Sequence, residues 1–178
     1  VSHSIVVNGC VTAQCGEQPI GPYDVCNLGS VNVGLYVDPE TREIDWKGIR
    51  EAVHKATHFL DNVIDANNYP LPQIDELSKK IRRIGLGIMG WADMLVKLGE
   101  PYGSPRSIEL GRELMRFVDE ESKIESERLA RQRGVFPEWE RSIWGPDDTA
   151  ARDNHGRRIR PMRRLRNCNL TTIAPTGT

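Results

Sequence analysis

The 178 residues predict an α/β chain that is mainly helical, and three observations carry that expectation. Apolar residues recur at helical spacing over two long stretches, about 46–67 and 105–133. Short β-branched runs flank the turn pair Asn8-Gly9 and follow Cys26, as strands do. A last run, 167–178, reads as a strand that breaks into a Thr/Gly turn.

Each element has its own signal. Ile5, Val6, Val7 and Val11 suit two short strands around Asn8-Gly9, the dipeptide that most strongly marks a hairpin. Cys15-Gly16-Glu17-Gln18-Pro19, then Pro22-Tyr23, then Cys26-Asn27-Leu28-Gly29-Ser30, is a loop. Gly16, Pro19, Gly21, Pro22 and Gly29 punctuate it too densely for a helix or an inner strand. Alternation from Leu28 to Val37 predicts a strand, closed by Asp38-Pro39. Asp45 is placed to N-cap a helix over about Trp46–Asn67, on which Ile49, Val53, Ala56, Leu60, Val63 and Ile64 share one face. Tyr69-Pro70-Leu71-Pro72 stops it. Ser104-Pro105 starts the second helix, a hydroxyl cap followed by a proline whose missing N–H costs nothing there. Its stripe of Ile108, Leu114, Met115, Val118, Ile124 and Leu129 runs to about Arg133, and Gly134 suits the position after the end. Phe136-Pro137 and Trp139 are expected to pack back as an anchor.

Composition narrows the class. Lys and Arg (24) nearly balance Asp and Glu (25), so no global field points to nucleic acid or to an acidic surface. At 6% aromatic and 38% hydrophobic, the chain is lean for a self-contained domain and fits a part that packs against more protein. No apolar run reaches membrane-spanning length, and the start lacks the basic-then-apolar order of a signal peptide. Cysteines at positions 10, 15, 26 and 168 have no CxxC spacing, which disfavours a zinc site or a secreted disulfide framework. The expected compartment is the cytoplasm.

Several motifs invite chemistry. The Cys15 loop sets a thiol close to the Glu17 carboxylate, with the Cys26 thiol eleven residues after the first. Such a loop can unite a sulfur reactant, a proton acceptor and an electron source, although on spacing alone a turn-rich connection with two buried thiols is the simpler reading. His54 and His58 stand i,i+4, but no companion carboxylate completes a metal motif, so they read as ordinary helix residues. The basic run 79–83 reads as a solvated face. Gly85, Gly87 and Gly90 match GxGxxG without a convincing strand before them; close helix packing at glycine explains them better than a phosphate loop. Arginines crowd 157–166, yet few aromatics interleave to stack bases, so no nucleic-acid partner is expected.

Three of these stretches carry a family resemblance. CGEQP, PY and CNLGSVN from Cys15 onward resemble the active-site finger loop of ribonucleotide reductases, specifically the class II, adenosylcobalamin-dependent large chain. RRIGLGIMGWADML resembles a family segment with the same glycine spacing, and LTTIAPTGT resembles the segment that holds the substrate's diphosphate. The resemblance covers Cys15 to Thr178. It implies part of a ten-stranded α/β barrel with the Cys loop threaded through its centre. Implied roles follow: Cys15 bears the thiyl radical that takes the ribose 3′ hydrogen, Glu17 accepts the 3′-hydroxyl proton, and Cys26 supplies reducing equivalents with a cysteine upstream. Gly16, Pro175, Thr176, Gly177 and Thr178 would contact substrate. Adenosylcobalamin is the implied cofactor, and no metal site is expected in this chain. The implied partners are a ribonucleotide, a thioredoxin-like or dithiol reductant and the remainder of the reductase chain. Cys168 has no matching role.

The family's Asn-Pro ahead of this cysteine is absent; Ala13-Gln14 stand there. HSIVVNGCVTAQ before a Cys resembles the C-terminal end of an intein, with Ala13 for the penultimate His and Gln14 for the terminal Asn. This divides the chain into an intein tail, 1–14, and a partial barrel domain, 15–178. Gln14 can still cyclise through its side-chain amide to break the Gln14–Cys15 bond, leaving Cys15 as acceptor thiol. The rival expectations are therefore a self-splicing precursor, compatible with the reductase, and a non-catalytic helical interaction module.

Overall fold

The computed structural model describes residues 4–7, 10–13, 18 and 20–174. Ser4–Val7 (β1) and Cys10–Ala13 (β2) pair antiparallel with Val7 opposite Cys10, so the expected hairpin strands form; the Asn8-Gly9 turn lies outside the described residues. These two strands make a sheet of their own.

The second sheet positions the chemistry. Asn27–Asn32 (β3) runs parallel to Ile84–Met89 (β4), in register from Asn27 opposite Ile84 to Asn32 opposite Met89. Residues 169–172 lie along the other side of β4. The Ile84 N–H donates to the Asn169 carbonyl (3.1 Å), the Leu86 N–H to that of Leu170 (2.7 Å), and the Thr172 N–H to that of Leu86 (3.0 Å). Leu86 and Thr171 bridge in the parallel sense. β4 is thus the middle of three parallel strands, and such strands need long crossovers, here helical.

Those crossovers are built as their caps demand. Asp45 accepts from the Gly48 N–H (2.8 Å) to open Trp46–Ala66 (α1). Pro72–Ile81 (α2) begins on proline, and Trp91–Leu98 (α3) lies between Gly90 and Gly99, both at positive φ. Ser104 Oγ accepts from the Ser107 N–H (3.0 Å) to open Pro105–Arg133 (α4). Helices α1 and α4 pack on one face of the sheet. Ile49, Val53, Leu60 and Ile64 of α1 meet Leu114 and Val118 of α4 and Ile84 and Leu86 of β4 in one core. Phe136 and Trp139 are buried there too, as the anchor expectation requires.

Three expectations need correction, and one helix was not expected. The strand expected over Leu28–Val37 ends at Asn32, because the Asn32 side chain accepts from the Gly34 N–H (3.2 Å) and turns Val33–Tyr36 into a 3-10 helix. The glycine run read as helix packing is strand β4; alternation is masked because Gly85 and Gly87 leave no side chain on one face. Helix α2 was hidden by its own prolines, which stop α1 and start the next helix within a few residues. The basic run is not one solvated face. Lys79 and Lys80 make exposed i,i+4 pairs with Asp75 and Glu76, but Arg82 is buried.

Arg82 sits at φ 51°, beyond the end of α2, and its guanidinium enters a polar node at the back of the sheet. Its Nε donates to Asp61 Oδ1 (2.9 Å), and its two terminal nitrogens donate to Asp65 (2.8 Å each). Asn167 Nδ2 donates to the same Asp61 oxygen (3.0 Å) and to the Arg82 carbonyl (3.1 Å), while Ser126 Oγ donates to Asn167 Oδ1 (2.9 Å). Arg133 completes Asp61 from α4 (3.1 Å). The arginines of 157–166 are likewise used as ties: Arg163 to Glu120 and Glu127 of α4, Arg158 to Asp147. Among the described residues no helix is long and apolar enough to cross a membrane.

Removing one partner from a buried charge network strands the others, which costs about 3–5 kcal/mol. Arg82→Met is therefore expected to lower stability by roughly that amount, read as a drop in the denaturation midpoint of the complete polypeptide. Lys79→Ala, three residues away, should leave the midpoint in place.

Candidate active site

Of the residues the resemblance implies as catalytic or substrate-binding, Cys26 is the one whose surroundings are described. Gln14, Cys15, Gly16, Glu17, Pro175, Thr176, Gly177 and Thr178 lie outside the described residues, as does His3. Gln18, the residue after Glu17, is described, and its Nε2 donates to the Thr171 carbonyl (3.2 Å). Gln18 is thereby tied to the outermost of the three strands.

Cys26 stands one residue ahead of β3. Arg83 stands one residue ahead of β4, and Cys168 one residue ahead of the 169–172 segment. Asn27 is in register with Ile84, and Ile84 is bonded to Asn169, so Cys26, Arg83 and Cys168 form a row across the three strands. The Cys26 sulfur lies on the face turned from the helices. A Cβ added to Gly85 would stand 3.0 Å from Cys26 Sγ, 3.0 Å from Thr172 Cγ2 and 2.6 Å from Leu28 Cδ2. Glycine at 85 is what lets the flanking strands bring sulfur and methyl groups over β4. The reading of reduced bulk at a contact was right in principle; the contact is between strands.

Arg83 is held by Asp24, two residues before Cys26, through two bonds of 3.0 Å to Oδ2. The Asp24 side chain is 5% exposed, and its Oδ1 has no hydrogen-bond partner among the described residues. Burial works against the Arg83 charge, but the neighbouring Cys168, Asp24 and Cys26 outweigh it and hold the guanidinium above its usual range. Burial pushes the Cys168 thiol up to about 11, against the pull of Arg83, and Asp24 adds to the rise. The Cys168 carbonyl accepts from Trp144 Nε1 (2.9 Å), which fixes that end of the row. Asp24, Arg83 and Cys168 were not legible as site residues. The available signal was weak: Asp24 and Cys26 at i,i+2 share a face only if the segment is extended.

At the other end of the sheet a cleft of about 660 Å³ opens at the carboxyl ends of the strands. Met89, Gly90, Trp91, Tyr102, Ile173 and Ala174 contribute to its walls. Parallel sheets characteristically bind ligands there. Ala174 directly precedes the predicted anion segment. Six-residue β3, at about 3.3 Å per residue, separates Cys26 from this cleft by about 20 Å, so the structure does not bring the thiol row into it.

His54 and His58 both face α4. His54 Nε2 lies 2.8 Å from Glu121 Oε2, and His58 meets Arg133 (3.0 Å), both on the α1–α4 seam. Among the described residues no three His, Cys, Asp or Glu side chains are grouped to hold a metal ion.

Residues 11–178 match the family model described as "Ribonucleotide reductase, barrel domain". A vitamin B12-dependent ribonucleoside-diphosphate reductase of Thermoplasma acidophilum is 46% identical over 167 residues, covering 94% of this chain and 20% of the relative. One of Mycobacterium tuberculosis with the same description is 39% identical over 167 residues, again 94% of this chain and 22% of the relative. A ribonucleoside-diphosphate reductase subunit alpha of Chlamydia pneumoniae is 33% identical over 120 residues, 67% of this chain and 11% of the relative. The chain spans about a fifth of the length of the two B12-dependent relatives.

The Cys168 shift makes stability fall at alkaline pH. A thiol whose folded pKa is raised from about 9 to about 11 keeps the folded state proton-rich in that window. Its contribution is intact below about 9 and drains as pH rises through about 11. Cys168→Ala should flatten that limb of a denaturation-midpoint-against-pH curve relative to the parent protein.

Proposed function

The chain belongs to the ribonucleotide reductase barrel-domain family, and on that footing we propose that it is part of a vitamin B12-dependent ribonucleoside-diphosphate reductase. The identity of 46% to a B12-dependent reductase across 94% of the chain carries the reading. The position of Cys26, at the head of a parallel strand and beside the strand next to it, supports a reductant role. In this reading the Cys15 radical takes the 3′ hydrogen of the ribose. Glu17 accepts the 3′-hydroxyl proton, and the 2′-hydroxyl leaves as water. Cys26 and a cysteine elsewhere in the polypeptide give up two electrons and two protons to the sugar and the departing water, and a disulfide joins them; Glu17 then returns its proton to the 3′ oxygen, and Cys15 returns the hydrogen to C3′ and regains the radical. A dithiol reductant restores the pair. Gly16 and Pro175, Thr176, Gly177 and Thr178 hold the diphosphate, for which backbone amides at a glycine turn are suited. The cleft is lined by Ala174, the residue before that stretch in sequence.

The relatives' description names vitamin B12, so adenosylcobalamin is the cofactor in this reading. The described residues do not make a cobalt site. His54 and His58 are engaged on the α1–α4 seam, and no three His, Cys, Asp or Glu side chains are grouped to hold a metal ion among the described residues.

A second reading concerns residues 1–14. The β1–β2 pair is a sheet apart from the β3–β4 sheet, which suits a tail that is not part of the barrel. We read Gln14–Cys15 as a splice junction, at which Gln14 cyclises and Cys15 accepts the upstream segment.

In the complete enzyme, Cys15→Ser should abolish turnover of a ribonucleoside diphosphate to its 2′-deoxy product, a loss of at least about a thousandfold; substantial remaining turnover would sink the radical assignment. Peptide masses across the junction, taken after expression with the native upstream coding sequence, should show new residues joined directly to Cys15. A retained Ala13-Gln14 would overturn the splice reading.

A further inference from the structure

We propose that Arg83 is a positioning residue for Cys26, holding its sulfur as a thiolate, with Asp24 setting how much of the Arg83 charge the sulfur receives. The geometry begins with the row of Cys26, Arg83 and Cys168 across the start of three parallel strands. Arg83 is flanked by two cysteines, and its side chain is only 19% exposed. Asp24 reaches Arg83 from the segment that carries Cys26, through Oδ2 alone. Among the described residues, the charged and titratable groups of this row are Asp24 from the segment of Cys26, Arg83 from the start of β4 and Cys168 from the outer strand; Cys168, Asp24 and Cys26 each act on the Arg83 charge.

Arg83 can serve two thiols, but not equally. Cys168 is held protonated at neutral pH by burial, so it takes no thiolate share of the guanidinium. Cys26 alone is left to use it. Arg suits this task better than Lys because its fork can bond a carboxylate on one side and remain charged beside a sulfur on the other. Thiolate is also the form in which a cysteine attacks or leaves a disulfide, and a better stabilised thiolate leaves faster.

The chemical use rests on the reading of Cys26 as a reductant. A thiolate of the dithiol reductant attacks the partner sulfur of the Cys26 disulfide. The Cys26 S–S bond breaks, and Cys26 departs with the bonding electron pair as a thiolate facing Arg83. A mixed disulfide forms between reductant and partner cysteine. The reductant's second thiol, as thiolate, then breaks that mixed disulfide, leaving the reductant oxidised and the partner sulfur as thiolate. Two protons, one from each reductant thiol, complete the reduced pair.

The test needs no turnover. The reduced, full-length polypeptide is alkylated with iodoacetamide across a pH series, and each cysteine is quantified by peptide mass. Cys26 labelling should inflect below the ordinary thiol value of about 8.5. Arg83→Met should move that inflection up by about one unit, a tenfold loss of thiolate at neutral pH. Asp24→Asn should move it down, and Arg83→Lys should keep most of the parent profile. Cys168 should label slowly throughout. Opposite shifts from Asp24→Asn and Arg83→Met support the proposal, since damaged packing would return both to the ordinary value. An unmoved Cys26 profile in Arg83→Met, or shifts of the same sign in both variants, would overturn it. If Arg83→Met does not fold, as judged by far-UV circular dichroism, the downward shift in Asp24→Asn decides alone. Failure of the reductase reading would show instead as turnover by Cys15→Ser with this titration intact.

Discussion

A buried carboxylate, Asp61, holds the architecture together. It is fully enclosed on α1 and bonded by groups from three other places in the chain: Arg82 at the end of α2, Arg133 on α4 and Asn167 ahead of the outer strand. A charge so placed is tolerable only when its lone pairs are all answered, because desolvation otherwise outweighs the attraction. The node answers them with donors that cannot be exchanged for one another. It therefore does more than hold helices to a sheet. Arg82 and Asn167 are the residues just before the row of Arg83 and Cys168, so the node sets where β4 and the outer strand begin. The thiol row inherits its alignment from a network on the opposite face of the sheet.

That arrangement separates two jobs in adjacent residues. Arg82 points to the helices and makes structure; Arg83 points to the open face and meets the cysteines. The left-handed turn at Arg82 performs the division: it closes α2, and the chain leaves it into β4 with Arg83 on the other side. A pair of arginines that looks like a single basic feature is two features with different partners. Strand alternation explains β4 itself, where Ile84 and Leu86 fill the core while Gly85 and Gly87 let the neighbouring strands close over the other face.

Much of the scaffold was legible because its signals are local. Helices α1 and α4 appear at their expected places, with Asp45 and Ser104 as caps, because stripe, cap and terminator all lie within a few turns of one another. The hairpin strands were legible from Asn8-Gly9 for the same reason. β4 was not, because glycine removes the alternation by which a strand is recognised and its partners are 57 and 85 residues away in sequence. The site divides similarly. Motif resemblance pointed to Cys26, but Asp24, Arg83 and Cys168 have no motif, and only parallel register assembles them. Arg82 was misjudged because a buried arginine and a solvated one look alike until the opposing carboxylates are placed.

The β3–β4 pair and the 169–172 segment bridged to it have two outer edges, one on β3 and one on that segment, and neither is paired to a further strand among the described residues. Leu28, Met89 and Ile173 stand exposed nearby. Backbone groups in that state are templates for another strand, and apolar side chains beside them favour the encounter. Handled as a separate polypeptide, these residues would tend to join edge to edge with copies of themselves. The same edges, inside a closed ring of strands, would be consumed by their neighbours. Solubility and correct assembly thus depend on one event, the arrival of the flanking strands before another copy of the chain.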